Sequence, residues 1–207
     1  MIIDLRGPNG SGKTWVMEQL RKRPGTEEIL RGPGLTEAGQ AEAAPEQAWA
    51  HALYTEELDE PLYLVGPYTG SPTRGVDRVK PMDEVTARIE YLARHGHVAF
   101  EGVIASTIFG RFHDTALRFP GQYTVIRLTT PLETCLERIR ARREAKGADP
   151  DGFKEELVAD KDKAIASACA KFREAGIRVI EASSERAPAT IIEALGGDQI
   201  GLGLEGF

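Results

Sequence analysis

The sequence predicts an α/β fold, a doubly wound parallel sheet flanked by helices, from three observations. Five short apolar runs are nearly continuous rather than alternating, as strands buried on both faces are. Stretches with apolar residues three and four apart separate most of those runs. The first run leads straight into Gly7, Pro8, Asn9, Gly10, Ser11, Gly12, Lys13 and Thr14, a complete G-x-x-x-x-G-K-[ST] loop. That loop belongs between a strand and a helix.

Each element follows in order. Ile2–Leu5 is the first strand, and Trp15, Val16 and Leu20 give the stretch from Lys13 the pattern of an amphipathic helix. Leu62–Val65, Val98–Phe100, Tyr123–Leu128 and Ile177–Ile180 are the other four strands. Pro81 to Arg94 carries Met82, Val85, Ile89 and Leu92 at helical spacing, and Pro131 to Ala145 carries Leu132, Leu136 and Ile139. A longer helical pattern covers Glu155 to Ala175 and is closed by Gly176, and a last helix spans Pro188 to Leu195. Residues 24–60, rich in Gly, Ala, Pro and Glu, stand outside this framework as an insert with one or two helices around Glu46–Leu58. Residues 66–80 form a loop rich in turn formers, residues 144–154 a second polar loop, and residues 196–207 a loosely packed tail. No repeat or linker divides the chain, so a single domain over 1–207 is expected.

Composition narrows the function classes. With 41% hydrophobic and 28% charged residues, the 207-residue chain reads as an ordinary soluble domain. No apolar run has membrane-spanning length, and a loop beginning at residue 7 leaves no room for a signal peptide ahead of it. The two cysteines, Cys135 and Cys169, fall in helical patterns, which suits a reducing, cytoplasmic compartment without disulfides. There is no C-x-x-C, and the four histidines form no H-E-x-x-H pattern, so zinc is not expected. The net charge of −6 argues at first against a nucleic-acid partner. Residues 32–60, however, hold seven acids and no Lys or Arg, while the rest of the chain carries 26 bases against 25 acids. The acidity belongs to one segment, read as a solvated surface insert.

The glycine loop implies a nucleoside triphosphate. Its glycines let backbone N–H groups turn toward phosphate oxygens, and the helix N-terminus adds partial positive charge. Lys13 reaches the β- and γ-phosphates, and the Thr14 hydroxyl can hold Mg²⁺. Ligands of an open α/β sheet sit beyond the carboxyl ends of the strands, so the junctions at residues 7, 66, 101 and 129 should line one cleft. Glu101 ends the third run, as a carboxylate that orders Mg²⁺ or accepts a proton, or as an ordinary strand-end acid in a salt bridge. Asp77, flanked by Arg74 and Arg78, reads equally as a surface ion-pair cluster or as a general base on an acceptor hydroxyl. Tyr68 can stack on a planar acceptor or pack, and Arg74 and Arg78 suit an anionic acceptor. Arg138, Arg140, Arg142 and Arg143 precede the loop at 144–154, with Arg138 and Arg142 on one helix face. They form an arginine-rich lid over the triphosphate, or a basic surface paired with Glu133 and Glu137. Lys161 and Lys163 are weaker candidates for the same cleft, with helix-surface lysines as the alternative.

GPNGSGKT at 7–14, FEG at 100–102 and RLTTPLETCLERIRARR at 127–143 together resemble the nucleotide and nucleoside kinase branch of phosphate-loop proteins. The last segment is similar to the strand, proline and helix that lead into the lid of thymidylate-kinase-like enzymes. The resemblance implies a P-loop NTPase fold, a five-stranded parallel sheet in the order 2-3-1-4-5, ATP and Mg²⁺. Two departures stand out: the acid–Arg pair usual in monophosphate kinases, and the Glu-Arg-Ser usual in deoxynucleoside kinases, are both replaced by Glu101, Gly102 and Val103. GPYTGSPTRGVD at 66–77, FEGVIAS at 100–106 and ADKDKAIASACAKFREAGIRVI at 159–180 look instead like a small phage-type kinase group. That group includes enzymes that phosphorylate 5-hydroxymethyluracil in DNA during thymine hypermodification.

Three functions follow. In the first, a kinase acts on a hydroxyl of modified DNA: ATP and Mg²⁺ sit on residues 7–14, Lys13, Arg138, Arg142 and Arg143 stabilise the moving phosphoryl, and Glu101 or Asp77 takes the proton. A base inside duplex DNA would have to be flipped out. In the second, a free nucleoside or nucleoside monophosphate is the acceptor, which the acidic insert suits slightly better. In the third, the chain is an ATPase or switch without an acceptor, for which it carries no water-positioning signature.

Overall fold

The computed structural model describes residues 1–32, 34–42, 48–68 and 75–197. Its strands are β1 (Ile2–Arg6), β2 (Thr26–Leu30), β3 (Ala50–Tyr54), β4 (Leu62–Val65), β5 (His97–Glu101), β6 (Tyr123–Leu128) and β7 (Arg178–Ala182). Its helices are α1 (Lys13–Arg21), α2 (Glu37–Glu42), α3 (Met82–Leu92), α4 (Val103–Thr107), α5 (Gly110–Arg118), α6 (Leu132–Glu144), α7 (Glu155–Glu174) and α8 (Ala187–Ala194). All seven strands join one sheet in the order β2-β3-β4-β5-β1-β6-β7.

The expectation of a five-stranded parallel sheet is corrected to a mixed sheet of seven strands. The five apolar runs form its parallel block, β4-β5-β1-β6-β7. β3 pairs antiparallel with β4, and β2 antiparallel with β3. Both added strands come from residues 24–60, and β3 occupies part of the stretch around Glu46–Leu58 where one or two helices were expected. Ala50 and Ala52 favour helix locally, but β4 offers an open edge, and pairing with it satisfies a whole row of backbone groups. Nor is this segment merely a solvated insert: Ala50, His51, Ala52 and Leu53 are buried. The remaining part of the helix expected around Glu46–Leu58 falls partly on residues 43–47, outside the described residues. Arg74 and residues 198–207 of the tail also lie outside them. The helices α4 and α5 lie in a stretch where no element was expected.

The block's strands read as continuous apolar runs because both faces are covered. On one face Ile2, Val98, Phe100 and Val125 pack with Val85 and Ile89 of α3, Phe112 of α5 and Phe172 of α7. On the other, Ile3, Leu5, Ala99 and Ile126 pack with Val16, Met17 and Leu20 of α1 and Ile191 of α8. β1 also buries a charge pair. Arg6 meets Asp4 at 2.6 Å, Tyr123 Oη donates to Asp4 at 2.8 Å, and Arg6 donates to the Ser106 carbonyl at 3.0 Å. The Arg6 guanidinium lies 4.5 Å from the Phe172 ring centroid. A buried pair this fully hydrogen-bonded ties the strand to α4. In the register Leu5 lies beside Glu101 and Arg6 beside Arg127, so the glycine loop and the end of β5 emerge together. Among the described residues no helix is long and apolar enough to cross a membrane.

Candidate active site

Residues 7–12 turn from β1 into α1, and the turn depends on Gly12, whose φ of 98° favours glycine. Val16 donates its N–H to the Gly12 carbonyl at 2.9 Å, so the helix is formed from its first turn. That turn holds no acid to compete with a phosphate for the helix terminus. Lys13 folds back across the loop, and its ammonium donates to the carbonyls of Gly7 at 2.6 Å and Pro8 at 3.0 Å. Burial pushes the Lys13 pKa down, while Glu101 and Asp77 oppose that shift. The Ser11 hydroxyl is buried without a hydrogen-bond partner among the described residues.

Two carboxylates face the loop. Glu101 is buried at the end of β5 and accepts a hydrogen bond from the Thr14 hydroxyl at 3.0 Å. Hard oxygen donors side by side at the mouth of a phosphate loop fit Mg²⁺, which needs only one or two protein ligands beside phosphate and water. Among the described residues no group of three or more His, Cys, Asp or Glu gathers as a metal centre. Asp77 sits in a 3₁₀ turn, Val76–Arg78. Its carboxylate accepts the N–H of Val103 at 2.5 Å and of Ile104 at 3.1 Å, which caps α4. Gly102 makes room for this: a Cβ there would stand 2.5 Å from Asp77 Oδ1. The departure from the usual kinase pattern after Glu101 therefore has a steric reason.

A cleft of about 990 Å³ joins these groups to α6 and α7. Asn9, Gly10, Gly12, Lys13 and Thr14 line it together with Asp77 and Glu101, Trp15 and Ile104, and the bases Arg138, Arg142, Arg143, Lys146 and Lys161. Arg138 reaches the Gly10 carbonyl at 3.4 Å and lies 3.7 Å from Glu185. Arg143 donates to the Asp149 carbonyl at 2.7 Å, bracing the loop after α6. Arg142 has no hydrogen bond or ion pair among the described residues. Arg140 turns away from the cleft to Asp151 and Glu155, and Lys163 pairs with Asp160.

Other expected residues lie elsewhere. Tyr68 is 2% exposed and absent from the cleft wall. Its backbone N–H donates to His51 Nε2 at 3.2 Å, while His51 Nδ1 lies 2.6 Å from Glu27 Oε1. Arg78 is exposed and outside the wall. Trp15, read from the sequence as part of the buried face of its helix, instead lines the cleft with 43% of its surface exposed. Val16, Met17 and Leu20 are the buried apolar residues of α1, beside the buried Lys13, and Trp15 is not among them. Phe153 and Lys146 of the wall carried no sequence signal of their own.

Sequence comparison agrees with this geometry. The family model described as 5-hmdU DNA kinase matches residues 58–194. A 5-hmdU DNA kinase of Pseudomonas phage PaMx11 is 31% identical over 90% of this chain and 92% of its own length. One from Pseudomonas phage M6 is 33% identical over 79% of this chain and 81% of its own. The 5-hmdU DNA kinase 1 of Salmonella phage ViI is 35% identical over 76% of this chain and 64% of its own. On the breadth of these matches, and with a glycine loop, paired carboxylates and arginine-bearing helix meeting in one cleft, the chain belongs to the 5-hmdU DNA kinase family.

Proposed function

We propose that this protein transfers the γ-phosphate of ATP to the hydroxyl of 5-hydroxymethyluracil in phage DNA, in the cytoplasm of the infected host. The observation that carries the reading is the second carboxylate. Asp77 stands in the same cleft as Lys13, Thr14 and Glu101, where a hydroxyl acceptor needs a base. Arg78 lies outside the wall, which supports a neutral hydroxyl acceptor over a nucleoside monophosphate. Tyr68 serves the scaffold through His51 rather than the acceptor. The parallel block centred on β1, with the glycine loop at its carboxyl end, supports a P-loop NTPase fold.

The residues divide the work. The loop N–H groups and the free Ser11 hydroxyl bind phosphate oxygens, and Lys13 leaves the Gly7 and Pro8 carbonyls for the β- and γ-phosphates. Thr14 and Glu101 would hold Mg²⁺, which would supply neutralisation of the phosphate charge. Arg138, Arg142 and Arg143 close over the phosphates and steady the charge of the moving phosphoryl. Asp77, held rigid by two backbone N–H groups, keeps lone pairs for the acceptor O–H and takes its proton. The hydroxymethyl oxygen then bonds to phosphorus as the bond to ADP breaks.

Radiolabelled ATP offered against hydroxymethyluracil DNA, unmodified DNA, nucleosides and nucleotides tests the reading. Label confined to the modified DNA is expected. Label in mononucleotides, or phosphate release with no labelled acceptor, would overturn it.

A further inference from the structure

The wall of the cleft carries two large, exposed apolar side chains that the chemistry above leaves unused. Trp15 is 43% exposed there and Ile104 55%. Trp15 does not belong to the core that α1 buries through Val16, Met17 and Leu20. An indole left half in water on a polar cleft wall forgoes a large burial energy unless something covers it. Both residues adjoin the carboxylates through the chain and its hydrogen bonds. Trp15 follows Thr14, which is bonded to Glu101, and the Ile104 N–H is bonded to Asp77.

We propose that Trp15 is the stacking face for the flipped 5-hydroxymethyluracil ring, with Ile104 packing against the same base. The inference rests on the function proposed above. The hydroxyl sits one methylene from the pyrimidine ring, so a hydroxyl delivered to Asp77 brings the ring to the wall beside Thr14. A flipped base needs an aromatic or apolar surface to replace the neighbours it leaves in the duplex.

Fluorescence and kinetics together test this. The chain has two tryptophans, and Trp49 is only 8% exposed, so the difference between wild type and Trp15→Phe isolates the Trp15 emission. A duplex with one 5-hydroxymethyluracil should quench that emission, and the matching thymine duplex or ATP alone should not. Trp15→Ala should raise KM for modified DNA by about tenfold to a hundredfold, the range expected for one lost base–aromatic stack, with KM for ATP unchanged. Trp15→Phe should restore most of the loss. Quenching by ATP instead of modified DNA, or a wild-type KM in Trp15→Ala, would overturn the inference. If wild type still labels modified DNA in that case, the inference fails alone. If wild type labels no DNA, the kinase reading and the inference fall together.

Discussion

Asp77 carries two roles that one pair of substitutions separates. Its carboxylate caps α4 through the N–H groups of Val103 and Ile104, and it stands where the acceptor proton must go. Asp77→Ala removes the cap, at a cost of about 1 kcal/mol, or about 2–4 °C in Tm for a chain of this size. Asp77→Asn keeps one oxygen for the short bond to Val103 and remains a good cap residue, so its stability should stay within about 0.5 kcal/mol of wild type. An amide cannot take a proton, however. Loss of a positioned base costs about 10²- to 10⁴-fold in turnover, equivalent to about 2.7–5.4 kcal/mol of barrier. The catalytic loss in Asp77→Asn should therefore exceed its stability loss by several fold. Turnover at saturating ATP and hydroxymethyluracil DNA, with Tm by differential scanning fluorimetry, measures both. An Asp77→Asn enzyme retaining about a third or more of wild-type turnover would refute the base assignment. It would leave Asp77 as a cap alone.

Three further outcomes follow from the same geometry. Lys13→Ala should lower transfer by at least about 10²-fold while the fold survives, because the buried ammonium bonds to the Gly7 and Pro8 carbonyls of the loop and is needed for phosphate charge; single-turnover transfer and circular dichroism check this. Gly102→Ala places a methyl group 2.5 Å from Asp77 Oδ1, too close for both to stay, and should cost about 1–3 kcal/mol as well as turnover, read by urea unfolding and by transfer rate. His51 gives a pH dependence. Burial holds its pKa below the ordinary 6.5, so below about pH 6.5 the unfolded chain takes a proton that the folded one refuses. Stability is then full above that pH and falls as pH drops toward the folded pKa, by up to about 1.4 kcal/mol per unit. His51→Gln, which cannot titrate but can still accept from Tyr68 N–H, should flatten the Tm profile below about pH 6.5.

The two halves of the cleft differ in how far they can be read from sequence, and the difference is physical. The donor half is encoded locally. β1, the glycine loop and α1 are contiguous, and Leu62–Val65 and Tyr123–Leu128 match β4 and β6 because strands covered on both faces must be apolar throughout. The acceptor half is built from contacts between distant residues. Asp77 is flanked by arginines in sequence, yet its partners are backbone N–H groups 26 and 27 residues away, which no periodicity announces. β2 and β3 are hidden for the same reason: Ala50 and Ala52 favour helix, and only the open edge of β4 makes them strand. Those edge strands also bear on the acceptor. His51 of β3 accepts the Tyr68 N–H, and Arg21 of α1 donates to the Tyr68 carbonyl at 3.2 Å, so the start of the loop leading to Asp77 is clamped on both sides of one residue. Glu27 of β2 completes the clamp by pairing with both His51 and Arg21. Of the acidic segment 32–60 only His51 takes part in this clamp, and none of its described residues lines the cleft, whose wall sets six Lys and Arg against Asp77 and Glu101, which is how a net-acidic protein can present a basic cleft to DNA.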